Sequence, residues 1–180
     1  MTHMMTFAYR LMGAMMLDGG TYEQIESDRR ANWQALGVVV MASVAAGFGT
    51  HMEMWAGPGG FVRVSAISLM AWIAWAVLAL QIGSRVLPQP QTRSDTGEML
   101  RTLGFAAAPG TLQVFGMIPG VQGPVFAITL LWMFAAMVVA LKHALDYTSL
   151  GRALAVCAIA ALIVVVFAFG MGVLFGGTAS

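Results

Sequence analysis

The chain has 180 residues, of which 59% are hydrophobic and 9% are charged. A typical soluble domain carries about 25% charged residues, and a chain of this size needs a polar shell to stay in water. The composition therefore excludes a soluble enzyme. The net charge of +1 excludes an electrostatic nucleic-acid binder, and the single cysteine excludes an internal disulfide framework. We expect an integral membrane protein.

The first apolar run, residues 4–16, contains Arg10. It predicts a helix that lies in the membrane interface, with Phe7, Leu11 and Met15 along the lipid headgroups and Arg10 facing lipid phosphates. The alternative is that this helix packs under the membrane bundle.

Residues 1–34 together predict a cytoplasmic segment of an interfacial helix and a linker helix. Thr21 is followed three residues later by Gln24, which is a capping-box pattern. This spacing predicts the start of the linker helix, which leads into the first membrane span.

Residues 35–180 predict an all-α bundle of five transmembrane helices. A hydrocarbon core about 30 Å thick needs roughly 20 mostly apolar helical residues. The five stretches that meet or approach this requirement are 35–50, 64–87, 99–118, 124–144 and 153–176.

The third stretch contains Pro109, Gly110 and Gln113. The sequence leaves open whether it is straight, kinked or re-entrant. The three residues together predict an intramembrane polar site, where an opened helix would face a cavity. Gln81, near the inner end of the second span, is a second candidate for a buried polar side chain. The default role of each glutamine is an interhelical hydrogen bond.

Charge placement predicts the orientation of the chain. With five spans and a cytoplasmic N-terminus, all Lys and Arg residues except Arg63 lie on the inner side. This distribution follows the positive-inside rule. We therefore expect a multi-pass protein of a bacterial inner membrane, with a periplasmic C-terminus.

The predicted spans carry no acidic or basic side chain in their middle parts. Ion pumps and coupled transporters need such groups, and no metal or catalytic motif is recognisable, so we expect neither an enzyme nor a cofactor. His51, Met52 and Met54 are weak candidates for a copper(I) site, because imidazole and thioether groups suit that ion. The alternative is that these methionines are ordinary apolar filler.

Two further patterns admit a structural and a functional interpretation. Trp72, Trp75 and Trp132 lie within predicted spans and either pack or contact a lipid or pigment. Gly172 and Gly176 form a G-x-x-x-G pattern, which allows close helix packing and is weak support for dimerisation.

Several motifs resemble a known family. They are Leu-Gly-Phe-Ala-Ala-Ala-Pro at 103–109, Gly-Met-Ile-Pro-Gly at 116–120, Trp132-Met133 and Ala-Leu-Asp-Tyr-Thr at 144–148. Together they resemble bacterial members of the YIP (Ypt/Rab-interacting protein) membrane family. The resemblance implies a five-span fold with a cytoplasmic N-terminal segment. Eukaryotic relatives bind prenylated Rab GTPases, but their Asp-Leu-x-Gly-Pro signature is absent from this sequence, so that role is not carried over.

Three functions remain open from the sequence. The first is a scaffold, assembly factor or accessory subunit that works with a membrane-protein partner or as a homo-oligomer. The second is a protein that binds or transports a lipid or small molecule, which would require a cavity. The third is a copper-binding accessory protein. Membrane lipids are expected contacts in every case.

Overall fold

A computed structural model describes residues 2–50, 59–90 and 95–176 of the chain. Every regular element in these ranges is helical, without a β-strand among them. The predicted all-α class is therefore confirmed. Continuous apolar runs favour helices because a helix satisfies its backbone hydrogen bonds within one segment.

Seven α-helices follow one another in the described chain: α1 is Thr2–Met15, α2 is Gly19–Ser27, α3 is Ala31–Gly49, α4 is Gly60–Gln81, α5 is Thr96–Ala106, α6 is Gln122–Ala144 and α7 is Leu150–Gly176. A turn of π-helix, Ile82–Val86, continues α4, and a 3-10 helix, Ala108–Met117, follows α5. The pair formed by α5 and the 3-10 helix packs between α3 and α6, with α4 and α7 on the other side of the bundle. The short helix α2 packs against α5 and α6.

Four helical segments are long and apolar enough to cross a membrane. Within the described residues they are Ala31–Gly49, Gly60–Val86, Gln122–Ala144 and Leu150–Phe167. They correspond to the predicted spans 35–50, 64–87, 124–144 and 153–176. Their length and composition indicate a membrane-embedded protein.

The predicted third span, 99–118, is not one continuous helix, so a fifth spanning helix is not confirmed. Helix α5 ends at Ala106, and the 3-10 helix begins at Ala108. Pro109 explains the break, because it has no N–H for the α-helical hydrogen bond and its ring collides with the carbonyl of Phe105. The ten residues of the 3-10 helix make a long example of an element that usually comprises three or four.

The interrupted segment follows α3 closely along its length. A Cβ atom on Gly104 would lie 2.7 Å from the Cβ of Ala35, near the start of α3. A Cβ atom on Gly116 would lie 2.8 Å from the carbonyl oxygen of Gly49, at the end of α3. Glycine is therefore required at both contact points. Because the contacts follow the same order in both chains of residues, the interrupted segment and α3 run in the same direction.

Asp18, rather than Thr21, caps helix α2. The Asp18 carboxylate accepts a hydrogen bond of 3.0 Å from the backbone N–H of Thr21 and a second one from the Thr21 hydroxyl. The predicted capping box at Thr21 and Gln24 is thus wrong, because the helix is capped at Asp18, about one turn before Thr21. The helix begins at Gly19 because the aspartate satisfies free N–H groups of the first turn.

Arg10 does not face lipid phosphates, so this prediction is wrong. The residue is 7% exposed, and its guanidinium donates to the Asp28 carboxylate at 2.7 Å and to the Gln34 amide oxygen at 3.0 Å. The carboxylate offers a charged partner inside the protein, which stabilises the buried cation. Phe7 also turns inward, with its ring 6.1 Å from that of Phe105. The inner face of α1 therefore packs on the bundle.

Candidate functional site

A cavity of about 300 Å³ lies among α3, α4, the 3-10 helix, α6 and α7. Its wall is mostly apolar and includes three polar side chains, those of Ser43, Ser68 and Gln113. We call this space the inner cavity; the other wall residues used below are Ala42, Ala46, Trp72, Trp75 and Met133.

Gln113 is the most polar group on this wall. The residue is 5% exposed, and within the described ranges no hydrogen bond joins its side-chain amide to another residue. The amide atoms are not among the fully enclosed unpaired side-chain atoms of the described residues, so they reach the open space of the cavity, and an amide in this position favours a site for water or a ligand. Of the predicted polar site, Gln113 lines the cavity, whereas Pro109 and Gly110 are buried in the 3-10 helix.

Ser43 contributes an acceptor to the inner cavity. Its hydroxyl donates to the carbonyl oxygen of Val39 at 2.9 Å, one turn earlier in α3. The donor of the hydroxyl is thus used within the helix, and its oxygen lone pairs remain for a donor from elsewhere.

The predicted tryptophans divide into two groups. Trp72 and Trp75 line the inner cavity. The indole nitrogen of Trp72 is buried and has no hydrogen-bond partner in the part of the chain that the structure describes. Trp132 has a structural role, because its indole N–H donates to the carbonyl oxygen of Met15 at 2.7 Å and joins α6 to the end of α1.

A second space of about 380 Å³ shares one wall residue, Trp72, with the first. We call it the outer groove; its wall consists of Asn32, Trp33, Ala35, Leu36, Val39, Trp72, Gly97 and Leu100. It lies between the amino-terminal half of α3, the first turns of α5 and the middle of α4. Its wall is apolar except near Asn32.

A buried arginine lies behind the polar end of the outer groove, bonded to the wall residue Asn32 without lining the space itself. Arg101 is 2% exposed. It donates to the side-chain oxygen of Asn32 at 3.2 Å and to the backbone carbonyl of Glu26 at 2.6 Å. Its Nη1 atom also lies 3.2 Å from the position that a Cβ atom would take on Gly97. Among the described residues, no carboxylate lies within ion-pair distance of this guanidinium.

Arg101 was predicted only as one of the positive charges on the inner side of the membrane. A usable signal is its position three residues before Gly104, on the face of α5 that meets α3. A charged residue on the same face as a packing glycine is predicted to be buried rather than solvated.

Glu26 lies close to Arg101 but offers it a backbone carbonyl. Burial, first of all, raises the pKa of the Glu26 carboxyl to about 7, with further contributions from the negative charges of Asp146 and Glu98. The positive charge of Arg101 acts in the opposite direction. Near neutral pH this carboxyl is therefore partly protonated.

Gln81 is exposed, so the prediction of a buried amide at this position is wrong. It lies near the end of α4, on a side that faces away from the neighbouring helices. Gln113 thus remains the glutamine of interest inside the bundle.

Two groups of predicted residues cannot be placed. His51, Met52 and Met54 lie outside the described residues, and so do the surroundings of Gly172 and Gly176, although the backbone of α7 is helical to Gly176. In the ranges that are described, no group of three or more His, Cys, Asp or Glu side chains could hold a metal ion.

Comparison with known proteins identifies the family of the chain. Neither a search of the curated proteins nor a search of the solved structures found a match. A family model described as the Yip1 domain matches residues 12–171, which include the inner cavity, the outer groove and Arg101. The chain therefore belongs to the Yip1 domain family.

Proposed function

We propose that this protein is a non-enzymatic membrane protein that binds the apolar part of an amphipathic molecule in the inner cavity. The observation that carries the proposal is the Gln113 amide, unpaired among the described residues, on the wall of a mostly apolar space. Small-molecule sites are typically apolar cavities of about 300–1,000 Å³ with a few polar groups that fix orientation. The inner cavity lies at the lower end of that range and suits a lipid chain or another slender apolar group.

Native mass spectrometry of protein extracted gently from its own membrane tests this proposal. We expect a retained small molecule on the wild type and its loss from Ala46→Phe, which places a ring in the cavity. Gln113→Leu, which keeps the volume but removes the amide, should weaken retention. Met41→Phe is the matched control, because Met41 is an exposed residue of α3 outside both walls. Equal retention by Ala46→Phe and Met41→Phe would contradict the proposal.

The proposal includes five membrane crossings, the third made by α5 and the 3-10 helix in sequence. At about 1.5 and 2.0 Å per residue these elements measure roughly 16 and 20 Å, which is enough for a core about 30 Å thick. Irregular backbone is tolerated at such depth where protein surrounds it, and residues 101–110 are buried.

Contacts between the segment that follows α4 and the segment around the start of α7 also support five membrane crossings. The Gln89 side chain accepts a hydrogen bond of 3.0 Å from the Thr148 backbone, and Arg152 donates to the Pro88 carbonyl at 2.9 Å. These contacts bring the end of α4 and the start of α7 to the same side of the bundle. Because α6 crosses between them, the segment before α6 must cross as well.

Cysteine labelling in intact cells tests this topology. With the charge bias placing the N-terminus in the cytoplasm of a bacterial inner membrane, Pro90→Cys and Ser149→Cys should both be protected from an impermeant thiol reagent. Gly120→Cys should be labelled. Labelling of Ser149→Cys with protection of Gly120→Cys would instead indicate four crossings.

A second candidate function is that of a scaffold or accessory subunit, and one observation favours it. Met5, Tyr9, Met12 and Met16 form a stripe on α1 and its end, each more than half exposed. Flexible methionine side chains suit protein-binding surfaces. Native mass spectrometry at the endogenous level should then show a stoichiometric protein partner that is lost from a Met5→Ser, Met12→Ser double variant. A partner retained by this variant would argue against the stripe as the contact.

A further inference from the structure

The outer groove and the inner cavity lie on one face of α3. Asn32, Leu36 and Val39 line the first space, and Ser43 and Ala46 line the second. These positions are separated by three or four residues, which is the spacing of a single helical stripe. Because the stripe is unbroken and Trp72 lines both spaces, the two spaces lie end to end along α3 and share the Trp72 side chain. We call the two together the α3 channel.

The α3 channel has the length of one membrane leaflet. From Asn32 to Ala46 the helix rises about 21 Å at 1.5 Å per residue. Half of a hydrocarbon core is about 15 Å, and the remainder reaches the headgroup region. A bilayer lipid can therefore extend along this channel without leaving its own leaflet.

The two ends of the α3 channel differ in charge. At the Asn32 end, the Nη1 atom of Arg101 donates to the wall residue Asn32 at 3.2 Å. The Nε atom of Arg101 is buried and has no partner among the described residues. A buried cation without an ion-pair partner is unfavourable, and an anion beside it would lower that cost. The Gln113 end offers only neutral polar groups, the Gln113 amide and the Ser43 and Ser68 hydroxyls, within a mostly apolar wall.

We propose that the α3 channel holds one glycerophospholipid of the adjoining leaflet. Its phosphate lies at Asn32, in the electric field of the buried Arg101 behind it, and one acyl chain extends past Trp72 to the inner cavity beside Gln113. This inference rests on the proposed function and deepens it, because it names the ligand and its direction. A phospholipid combines the two required groups, an anionic phosphate and a chain long enough to reach Ala46.

Photo-crosslinking of the full chain in lipid vesicles tests the assignment. The probe is phosphatidylglycerol with a diazirine at the end of one acyl chain, added in trace amount to vesicles of phosphatidylethanolamine and phosphatidylglycerol. We expect crosslinks to concentrate on inner-cavity residues such as Ala42, Ala46 and Met133. Leu36→Trp, which narrows the outer groove, should reduce them by about fivefold or more, an effect of roughly 1 kcal/mol. The matched control Met41→Trp should leave them unchanged.

Substitutions of Arg101 test the polar end of the α3 channel, where the lipid phosphate is proposed to lie. Arg101→Gln should reduce crosslinking, whereas Arg101→Lys, which keeps the charge, should retain most of it. Circular dichroism and gel filtration report folding, and Asn32→Leu serves as the second variant if Arg101→Gln does not fold. A diazirine fatty acid provides a further comparison. Stronger labelling of the same cavity residues by the fatty acid would overturn the phospholipid assignment.

The outcome is separable from that of the proposed function. Crosslinks spread over the exposed faces of α7, with no effect of Leu36→Trp, would overturn the phospholipid inference. Retention of some other molecule that Ala46→Phe abolishes would still uphold the proposed function. If neither Leu36→Trp reduces crosslinking nor Ala46→Phe abolishes retention, both the phospholipid inference and the proposed function are wrong.

Discussion

Gly104 of α5 packs directly against Ala35 of α3, where an added Cβ atom would lie 2.7 Å from the alanine Cβ. This contact holds the interrupted segment close to α3 at the polar end of the α3 channel. It lies one turn from the hydrogen bond between Arg101 and Asn32. The packing of two small residues and the burial of the arginine are therefore parts of the same helix crossing.

Gly104→Val should destabilise the protein by about 1–3 kcal/mol, because the added methyl groups force the two helices apart. Thermal unfolding in detergent measures the change. Ala35→Gly in the same chain should restore part of the loss by making room at the contact. Gly37→Ala is the control, since a Cβ atom there meets nothing within 4 Å. A Gly104→Val protein as stable as the control would show that the crossing is looser than described.

Removal of the Arg10–Asp28 ion pair should loosen the N-terminal helices from the bundle. Arg10→Gln leaves Asp28 without its charged partner and is expected to cost about 1–3 kcal/mol. The hydrogen bond from Arg10 holds the pKa of Asp28 below its ordinary value. The pair therefore stabilises the fold above that ordinary value and loses its effect as the pH falls through the lower pKa of the folded state.

Thermal unfolding between pH 3 and pH 7 (roughly the range in which free and paired carboxyls titrate) measures this contribution. Arg29→Gln, at an exposed position nearby, should leave the unfolding curve unchanged. An Arg10→Gln variant with wild-type stability at neutral pH would exclude a stabilising role for the pair.

Glu26 should make the protein less stable as the pH rises. Its pKa is raised from an ordinary value of 4.5 to about 7 in the folded state, so the folded protein holds this proton more tightly than the unfolded chain. The stability is fully present below pH 4.5 and declines as the pH rises towards 7. Allowing for solvent screening of a half-buried group, the effect is about 1–2 kcal/mol.

Glu26→Gln should remove this pH dependence and raise the unfolding temperature at pH values above about 7. Glu23 is an exposed neighbour in the same helix and provides the control. Glu23→Gln should keep most of the wild-type dependence of stability on pH. An unchanged slope in Glu26→Gln would place the titrating group elsewhere.

The long apolar helices could be predicted from the sequence because their lipid contacts impose continuous hydrophobic runs. The starts of the short helices could not. Asp18 and Thr21 both suit a cap, and the choice between them depends on which backbone N–H groups are left free. Pro109 indicates an interruption of the helix from its residue type alone, but no local pattern indicates that Ala108–Met117 continues as a 3-10 helix.

Part of the candidate site could also be anticipated. Gln113 was identified because an amide is conspicuous in an apolar run, and the structure places it on a cavity wall. Arg101 was missed because its partners are distant in the sequence: Glu26 is 75 residues away and Asn32 is 69 residues away. The outer groove is likewise a product of helix packing, and no local pattern in α3 or α5 indicates the space between them.

Stability measurements during lipid titration test the central claim most directly. Delipidated wild-type protein and the Met41→Phe control should gain thermal stability in a saturable manner when phospholipid is added. The gain expected at roughly a hundredfold excess over Kd is about 2–3 kcal/mol. Ala46→Phe, with the inner cavity filled, should gain little. The same saturable gain in Ala46→Phe as in the wild type would contradict binding in the cavity.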